Sequence, residues 1–286
     1  MAKKMDALGD RMKGYENISR IYLTRRVPVI IRLDGKAFHT FTKGFQKPFD
    51  RLLMTTMQET MKYLCENIQG CVFAYTQSDE ITLVLTDYAT IKTDAWFGYN
   101  IQKMASIAAS MATIAFNSAC SRNVDEWSAE RIPDWFEGGT NHPDSINRDA
   151  LKQAELYSSR IGKALFDARV FSIPKEEVVN CLIWRQQDAT RNSIEAVGQA
   201  NFSHTQLHGK TCDNIQDMLW KEKGINWNDF PVDCKRGACC FKTETTEEVP
   251  NPHESGAMVA VTRRKWEIDT EPPIFTHDKA YVERWL

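Results

Sequence analysis

Apolar and polar positions alternate between two rhythms along this chain, and the order of those rhythms predicts its architecture. Residues 27–33 (VPVIIRL) form a short apolar, β-branched run behind Arg25 and Arg26, the pattern of a buried strand, and the run stops at the turn pair Asp34-Gly35. Between 49 and 67 the apolar residues Leu52, Leu53, Met57, Met61, Leu64 and Cys65 recur at helical spacing behind Pro48, which predicts a helix with that proline in its first turn. Two apolar runs, 71–76 and 81–86, flank the polar tip Gln77-Ser78-Asp79-Glu80 and predict a hairpin. A second helix, rich in Ala, Met and Ile, is expected from a cap at Thr93 or Asp94 to about Ser118. The polar, Trp-bearing stretch 121–147, with Pro133, Gly138, Gly139 and Pro143, reads as an insertion, and residues 166–173 (FDARVFSI) read as a strand ended by Pro174.

The sequence of elements is therefore β-α-β-β-α-β, the split arrangement of ferredoxin-like α+β folds, which also underlies polymerase palms and nucleotide cyclases. Beyond it, Lys175–Lys210 is expected to be mostly helical, with an antiparallel strand pair at 238–243 and 257–264. The expected organisation is a palm-like catalytic domain over 1–174, with an insertion near 121–147, and a C-terminal helical and strand region over 175–286 packed on the palm.

Composition narrows the picture without directing it. With 286 residues the chain can bury a substantial core, and its net charge of −2 excludes a polycation, so any nucleic-acid surface has to be a local patch. No apolar run approaches the roughly 18 residues of a membrane span, and Met1–Gly14 lacks a signal-peptide stretch, so no membrane association and a cytoplasmic location are expected. Eight cysteines in that setting read as reduced thiols. Cys234, Cys239 and Cys240, with His253 downstream, lack the paired CxxC spacing of a zinc site, and His204 and His208 lack a third ligand.

The chemistry sits on two carboxylates. Asp34 follows the first strand and Asp79 lies on the hairpin tip; in a ferredoxin-like sheet those strands are antiparallel central neighbours, so both acids reach one edge. Two close carboxylates repel, and a pair of Mg²⁺ ions relieves that conflict while serving in-line phosphoryl transfer. Gly35 lets the chain turn and brings a carbonyl to the same place, and residues 36–39 follow with backbone N–H groups suited to triphosphate oxygens.

Around these acids the chain resembles the tRNA-His guanylyltransferase family. The carrying motifs are Arg32-Leu33-Asp34-Gly35-Lys36-Ala37-Phe38-His39 with Phe41 and Lys47-Pro48-Phe49-Asp50, then Tyr75-Thr76-Gln77-Ser78-Asp79-Glu80, Phe166-Asp167-Ala168-Arg169-Val170, Trp184-Arg185-Gln186 with Asp188, and Lys235-Arg236-Gly237. The resemblance implies two Mg²⁺ held by Asp34, the Gly35 carbonyl and Asp79, and nucleotide contacts along Lys36, Ala37, Phe38, His39 and through Ser78. It further implies Lys47 in nucleotide activation, Lys103 on an incoming triphosphate, and GTP and ATP as substrates. The implied activity is 3′–5′ addition of a nucleotide to the 5′ end of tRNA, by an enzyme expected to be a homo-oligomer, a tetramer as in the family.

Two departures concern specificity rather than chemistry. Where eukaryotic members of the family carry His-Ile-Asn-Asn, this chain has Thr190-Arg191-Asn192-Ser193, similar to the "-like" branch that repairs 5′-truncated tRNAs, and Asn100 replaces a basic residue before Lys103. Arg185, Arg191, Lys210, Lys235 and Arg236 are the expected tRNA contacts. A palm-type nucleotide cyclase or dinucleotide synthase shares the acid pair and is the competing enzyme reading, and a non-catalytic RNA-binding protein is the competing reading from another class.

Overall fold

In the computed structural model the described residues are 7–132, 148–250 and 258–286. Helix α1 (Ala7–Ile18) precedes strand β1 (Val29–Gly35), the short helix α2 (Phe38–Phe41) and helix α3 (Arg51–Asn67). The hairpin β2 (Cys71–Gln77) and β3 (Glu80–Leu85) leads to α4 (Ile101–Arg131), α5 (Arg148–Ser158) and β4 (Phe166–Ser172). Then come α6 (Val178–Asn201), α7 (His204–Leu207), α8 (Cys212–Met218), α9 (Val232–Arg236), the long hairpin β5 (Ala238–Pro250) and β6 (Met258–Asp269), and α10 (Ala280–Glu283).

The strands form one six-stranded sheet in the order β4-β1-β3-β2-β5-β6. Its first four strands have the ferredoxin-like order, with β1 antiparallel to both β3 and β4. Alternation along β1 explains the layering: Val29, Ile31 and Leu33 enter the core beneath α3 and α4, whereas Ile30 enters the opposite core with Val178, Val179 and Leu182 of α6. Each of these β1 side chains is fully buried, a stabilisation of about 1.5–3 kcal/mol apiece.

The first helix begins two residues later than its apolar spacing predicts, because Asp50 is the N-cap and accepts from the Leu53 amide at 3.0 Å. The second helix departs more. Residues 96–99 form a tight turn in which Phe97 and Gly98 are left-handed, and the helix is capped by Asn100, whose Oδ1 accepts from the Lys103 amide at 3.0 Å. It also runs on to Arg131 rather than stopping near Ser118, because Ala119, Cys120, Asn123, Val124 and Ser128 continue the buried stripe. The insertion expected over 121–147 is thus helical in its first part; residues 133–147 lie outside the described residues. Neither α1 nor α5 is anticipated by the apolar pattern. The hairpin tip tightens to Ser78-Asp79, with Gln77 and Glu80 already paired.

β5 and β6 are longer than the expected pair, and β5 adds directly to β2, so the sheet continues into the C-terminal part of the chain. All eight cysteines are free. Cys239 and Cys240 point into opposite cores, so one metal ion cannot use both; His253 lies outside the described residues. No helix among the described residues is long and apolar enough to cross a membrane.

The entry to β5 is tightly constrained. Tyr75 donates its hydroxyl to the Arg236 carbonyl at 2.6 Å, and Gly237 adopts a φ of +76° with its Cα pressed on β2, where a Cβ would lie 2.3 Å from the Thr76 carbonyl oxygen. Gly237→Ala is expected to lower unfolding free energy by about 2–4 kcal/mol, read as a reduced urea midpoint with an unchanged slope.

Candidate functional site

The antiparallel register sets Asp34 directly opposite Glu80, and the Gly35 amide donates to the Asp79 carbonyl at 3.1 Å. The end of β1 is thereby stitched to the β2–β3 tip, and both predicted acids stand at one edge of the sheet. Ser78 turns the tip with a φ of 50°, a conformation that favours short polar residues or glycine. Burial first, and then the neighbouring Asp34 carboxylate, push the Asp79 carboxyl above its ordinary value, against the pull of hydrogen bonds from its own backbone and Ser78.

A cavity of about 400 Å³ opens beside this edge, lined by Gly35, Ala37, Phe38, His39, Thr42, Leu53, Ser78 and Asp79. Phe38 is buried and packs its ring on Gly35, where any Cβ would come within 2.3 Å of that ring. This residue therefore offers the cavity its backbone rather than its side chain. Ala37 holds a left-handed conformation (φ 54°, ψ 40°), which turns the chain into α2. The amides of Ala37, Phe38 and His39 meet no acceptor among the described residues, whereas the Lys36 amide donates to the Leu165 carbonyl at 2.8 Å. The run of free amides is thus 37–39, one residue shorter than the turn suggests. A second recess, about 160 Å³, adjoins the first through Leu53 and Ser78 and is lined by Phe49, Asp50, Asn192 and Asp233 among others.

The predicted residues do not all gather here. Lys36, Lys47 and Lys103 are exposed and line neither recess; the Lys103 ammonium instead stands 6.0 Å over the Phe97 ring. Glu80 is the site residue that motif reading passed over. Buried on β3, it is ion-paired at 2.9 Å with Arg185 of α6, which also bonds Asp188 at 2.5 Å. Burial pushes Glu80 upward, opposed by Arg185 and Arg32, whereas for Asp188 the same penalty is outweighed by hydrogen bonds from Arg185 and Arg191, leaving it below its ordinary value. The alternation of β3 was the available signal, since it sets Glu80 across from Asp34.

Two expected RNA contacts are corrected by these packings. Arg185 is buried and committed to Glu80 and Asp188, and Lys235 is buried with its ammonium on the Asn228 carbonyl at 2.5 Å. Neither is free to grip phosphate.

Asp34, Asp79 and the Gly35 carbonyl are hard oxygen donors suited to Mg²⁺, and a cation there would offset both the burial of the Asp79 carboxyl and its repulsion by Asp34. Among the described residues no group of three or more His, Cys, Asp or Glu side chains could hold a metal ion, so an ion on this pair would complete its shell with water and phosphate oxygens.

The family model described as "Thg1: tRNAHis guanylyltransferase" matches residues 9–174. A bacterial tRNA(His) guanylyltransferase (Thg1)-like protein solved with ATP is 42% identical, with 98% of each chain covered and a TM-score of 0.74. A second structure so described, solved with GTP, is 39% identical over 98% of this chain and 99% of that one, with a TM-score of 0.71. The tRNA(His) guanylyltransferase of Schizosaccharomyces pombe is 26% identical over 89% of this chain and 86% of its own.

Because the Asp79 carboxyl is raised in the fold, its protonated form is favoured there and its ionised form destabilises. Its contribution to stability is highest below the unfolded value of 3.8 and falls as pH rises through the folded one. In EDTA, Asp79→Asn is expected to melt above the wild type at pH 7, and the gap should close as pH falls toward 4, as followed by thermal denaturation.

Proposed function

The chain belongs to the tRNAHis guanylyltransferase family, and on that premise we propose that it adds a nucleotide to the 5′ end of tRNA in the 3′–5′ direction. The observation that carries this reading is the acid pair at one sheet edge: Asp79 lines a cavity walled by free backbone amides, and Asp34 stands next to it on β1, one residue before Gly35 of the same wall. The Thr190-Arg191-Asn192-Ser193 segment favours templated repair of shortened 5′ ends over addition restricted to tRNA-His.

The reaction has two displacements. An oxygen of the RNA 5′-phosphate attacks the α-phosphorus of ATP or GTP, forming a phosphoanhydride and releasing pyrophosphate. The 3′-hydroxyl of an incoming GTP, or another nucleoside triphosphate, then attacks the 5′-phosphorus; a phosphodiester forms, the nucleoside monophosphate leaves, and the hydroxyl proton passes to solvent. Asp34, Asp79 and the Gly35 carbonyl would hold Mg²⁺. When bound, these ions lower the pKa of the attacking oxygen and neutralise charge on the departing phosphates.

The protein's own part is positioning and charge. The Ala37, Phe38 and His39 amides face the triphosphate, and the Ser78 hydroxyl lies at the same wall of the cavity. Lys47, exposed beside Pro48, meets the activating nucleotide; Lys103, at the start of α4, meets the incoming one. In this reading residues 1–174 carry the acids and the triphosphate cradle, and residues 175–286 supply the helical layer on the other face of the sheet and its last two strands.

Asp79→Asn is expected to reduce nucleotide addition at least about 100-fold, and EDTA should abolish it until Mg²⁺ is restored. The assay supplies a 5′-truncated tRNA, a full-length tRNA and each labelled nucleoside triphosphate, then sequences the 5′ ends. Wild-type extension by Asp79→Asn, or pyrophosphate release from GTP with no RNA present, would sink the proposal.

A further inference from the structure

On the α6 side of the sheet, the floor formed by β1 and β4 is charged and uncovered. Arg32, Asp34, Asp167 and Arg169 share it, in the cross-strand pairs Arg32↔Arg169 and Asp34↔Asp167. The Asp167 and Arg169 side chains are 56% and 51% exposed and only 3.6 Å apart. Trp184 of α6 stands at the rim of this floor and is 51% exposed, on the open face of its helix with Asn180 and Gln187, while Leu182, Arg185 and Gln186 turn inward and are buried. Its indole N–H meets no acceptor among the described residues. The guanidinium carbons of Arg185 and Arg32 lie 4.1 and 5.4 Å from the ring centroid. Arg32 has no ion pair or hydrogen-bond acceptor among the described residues, and its Nε is buried without a partner.

The surroundings of this exposed indole select what would cover it. Arginines around an aromatic ring suit a flat, π-rich group attached to an anion, which describes a nucleotide. Position selects which nucleotide. Arg32 lies two residues before Asp34 on the same strand face, roughly 7 Å away. The cavity lined by Gly35 and by the free amides of residues 37–39 lies on the other side of Asp34, toward α2 and α3. Two reactants must meet at Asp34; the cavity takes the triphosphate, so the open floor is left for the end of the RNA.

We propose that Trp184 is a stacking platform for the 5′-terminal base of the RNA substrate, on the sheet floor and separate from the triphosphate cradle. The inference rests on the RNA nucleotidyltransfer reading and adds where the acceptor end is seated. Stacking on an aromatic face is tolerant of base identity, so the platform would position ends of any sequence.

The test uses the full chain and two RNA hairpins, one with 2-aminopurine as its 5′-terminal base and one with it deep in the stem. The wild type is expected to quench the terminal probe on binding and to leave the stem probe unchanged. Trp184→Phe should keep the quench. Trp184→Leu, similar in bulk but without a π face, should lose it and bind about 10-fold more weakly, with melting temperature and ATP binding unchanged. Terminal quenching by Trp184→Leu at the wild-type level, or wild-type binding without quenching, overturns the platform. Label incorporation by the wild type is scored in parallel: present with the quench absent, it condemns the platform alone; absent along with RNA binding, it condemns the RNA reading and the platform with it.

Discussion

The antiparallel pairing of β1 with β3, in the register that faces Asp34 with Glu80, is the constraint on which the site depends. A slip of one residue would turn Asp34 toward the α3–α4 core and bring Leu33 out in its place. The register is held from both sides of the sheet, because Ile30 and Ile31 are each fully buried in opposite cores. Packing far from any chemistry therefore decides where the acids stand.

Concentrating acids creates a second requirement. Asp34, Asp79 and Glu80 crowd the same edge, and Glu80 is buried with water largely excluded. Arg185 reaches it from α6 and is in turn held by Asp188, which Arg191 bonds from the outer side. Leaving either member of such a buried pair alone costs about 3–5 kcal/mol, so the arginine works as part of the acidic edge rather than as a surface cation. It divides the carboxylates: Glu80 has a resident cation, and Asp79 does not.

Much of this was legible in the residues. The apolar runs at 27–33, 71–76, 81–86 and 166–173 all became strands, and the turn pair Asp34-Gly35 with the tip Ser78-Asp79 located the acids. What escaped was whatever depends on a partner distant in sequence. The role of Arg185 needs Glu80, 105 positions earlier, and the burial of Lys235 needs the Asn228 carbonyl. Single-sequence reading treats both as free charges. The second helix was missed in extent for a local reason: its buried stripe passes through Asn123 and Ser128, polar residues that hide the periodicity. Asn123 is accommodated there by donating to the Thr56 hydroxyl at 3.0 Å. The turn after Gly35 suggests amide donors over residues 36–39, and only the bond from Lys36 to Leu165 shows that the run begins at Ala37.

The addition of β5 to β2 also bears on how the chain can be divided. A fragment ending at Pro174 would keep every residue matched by the family profile, yet it would expose the outer edge of β2 as an unpaired template for other strands. It would also strand Glu80 without its guanidinium, in the part of the sheet where negative charge is already densest. Folding and solubility of the acid-bearing half are therefore bound to a tail more than a hundred residues downstream of the first acid, and a cut from the C-terminal side meets the buried Phe275, Tyr281 and Val282 before it reaches β6.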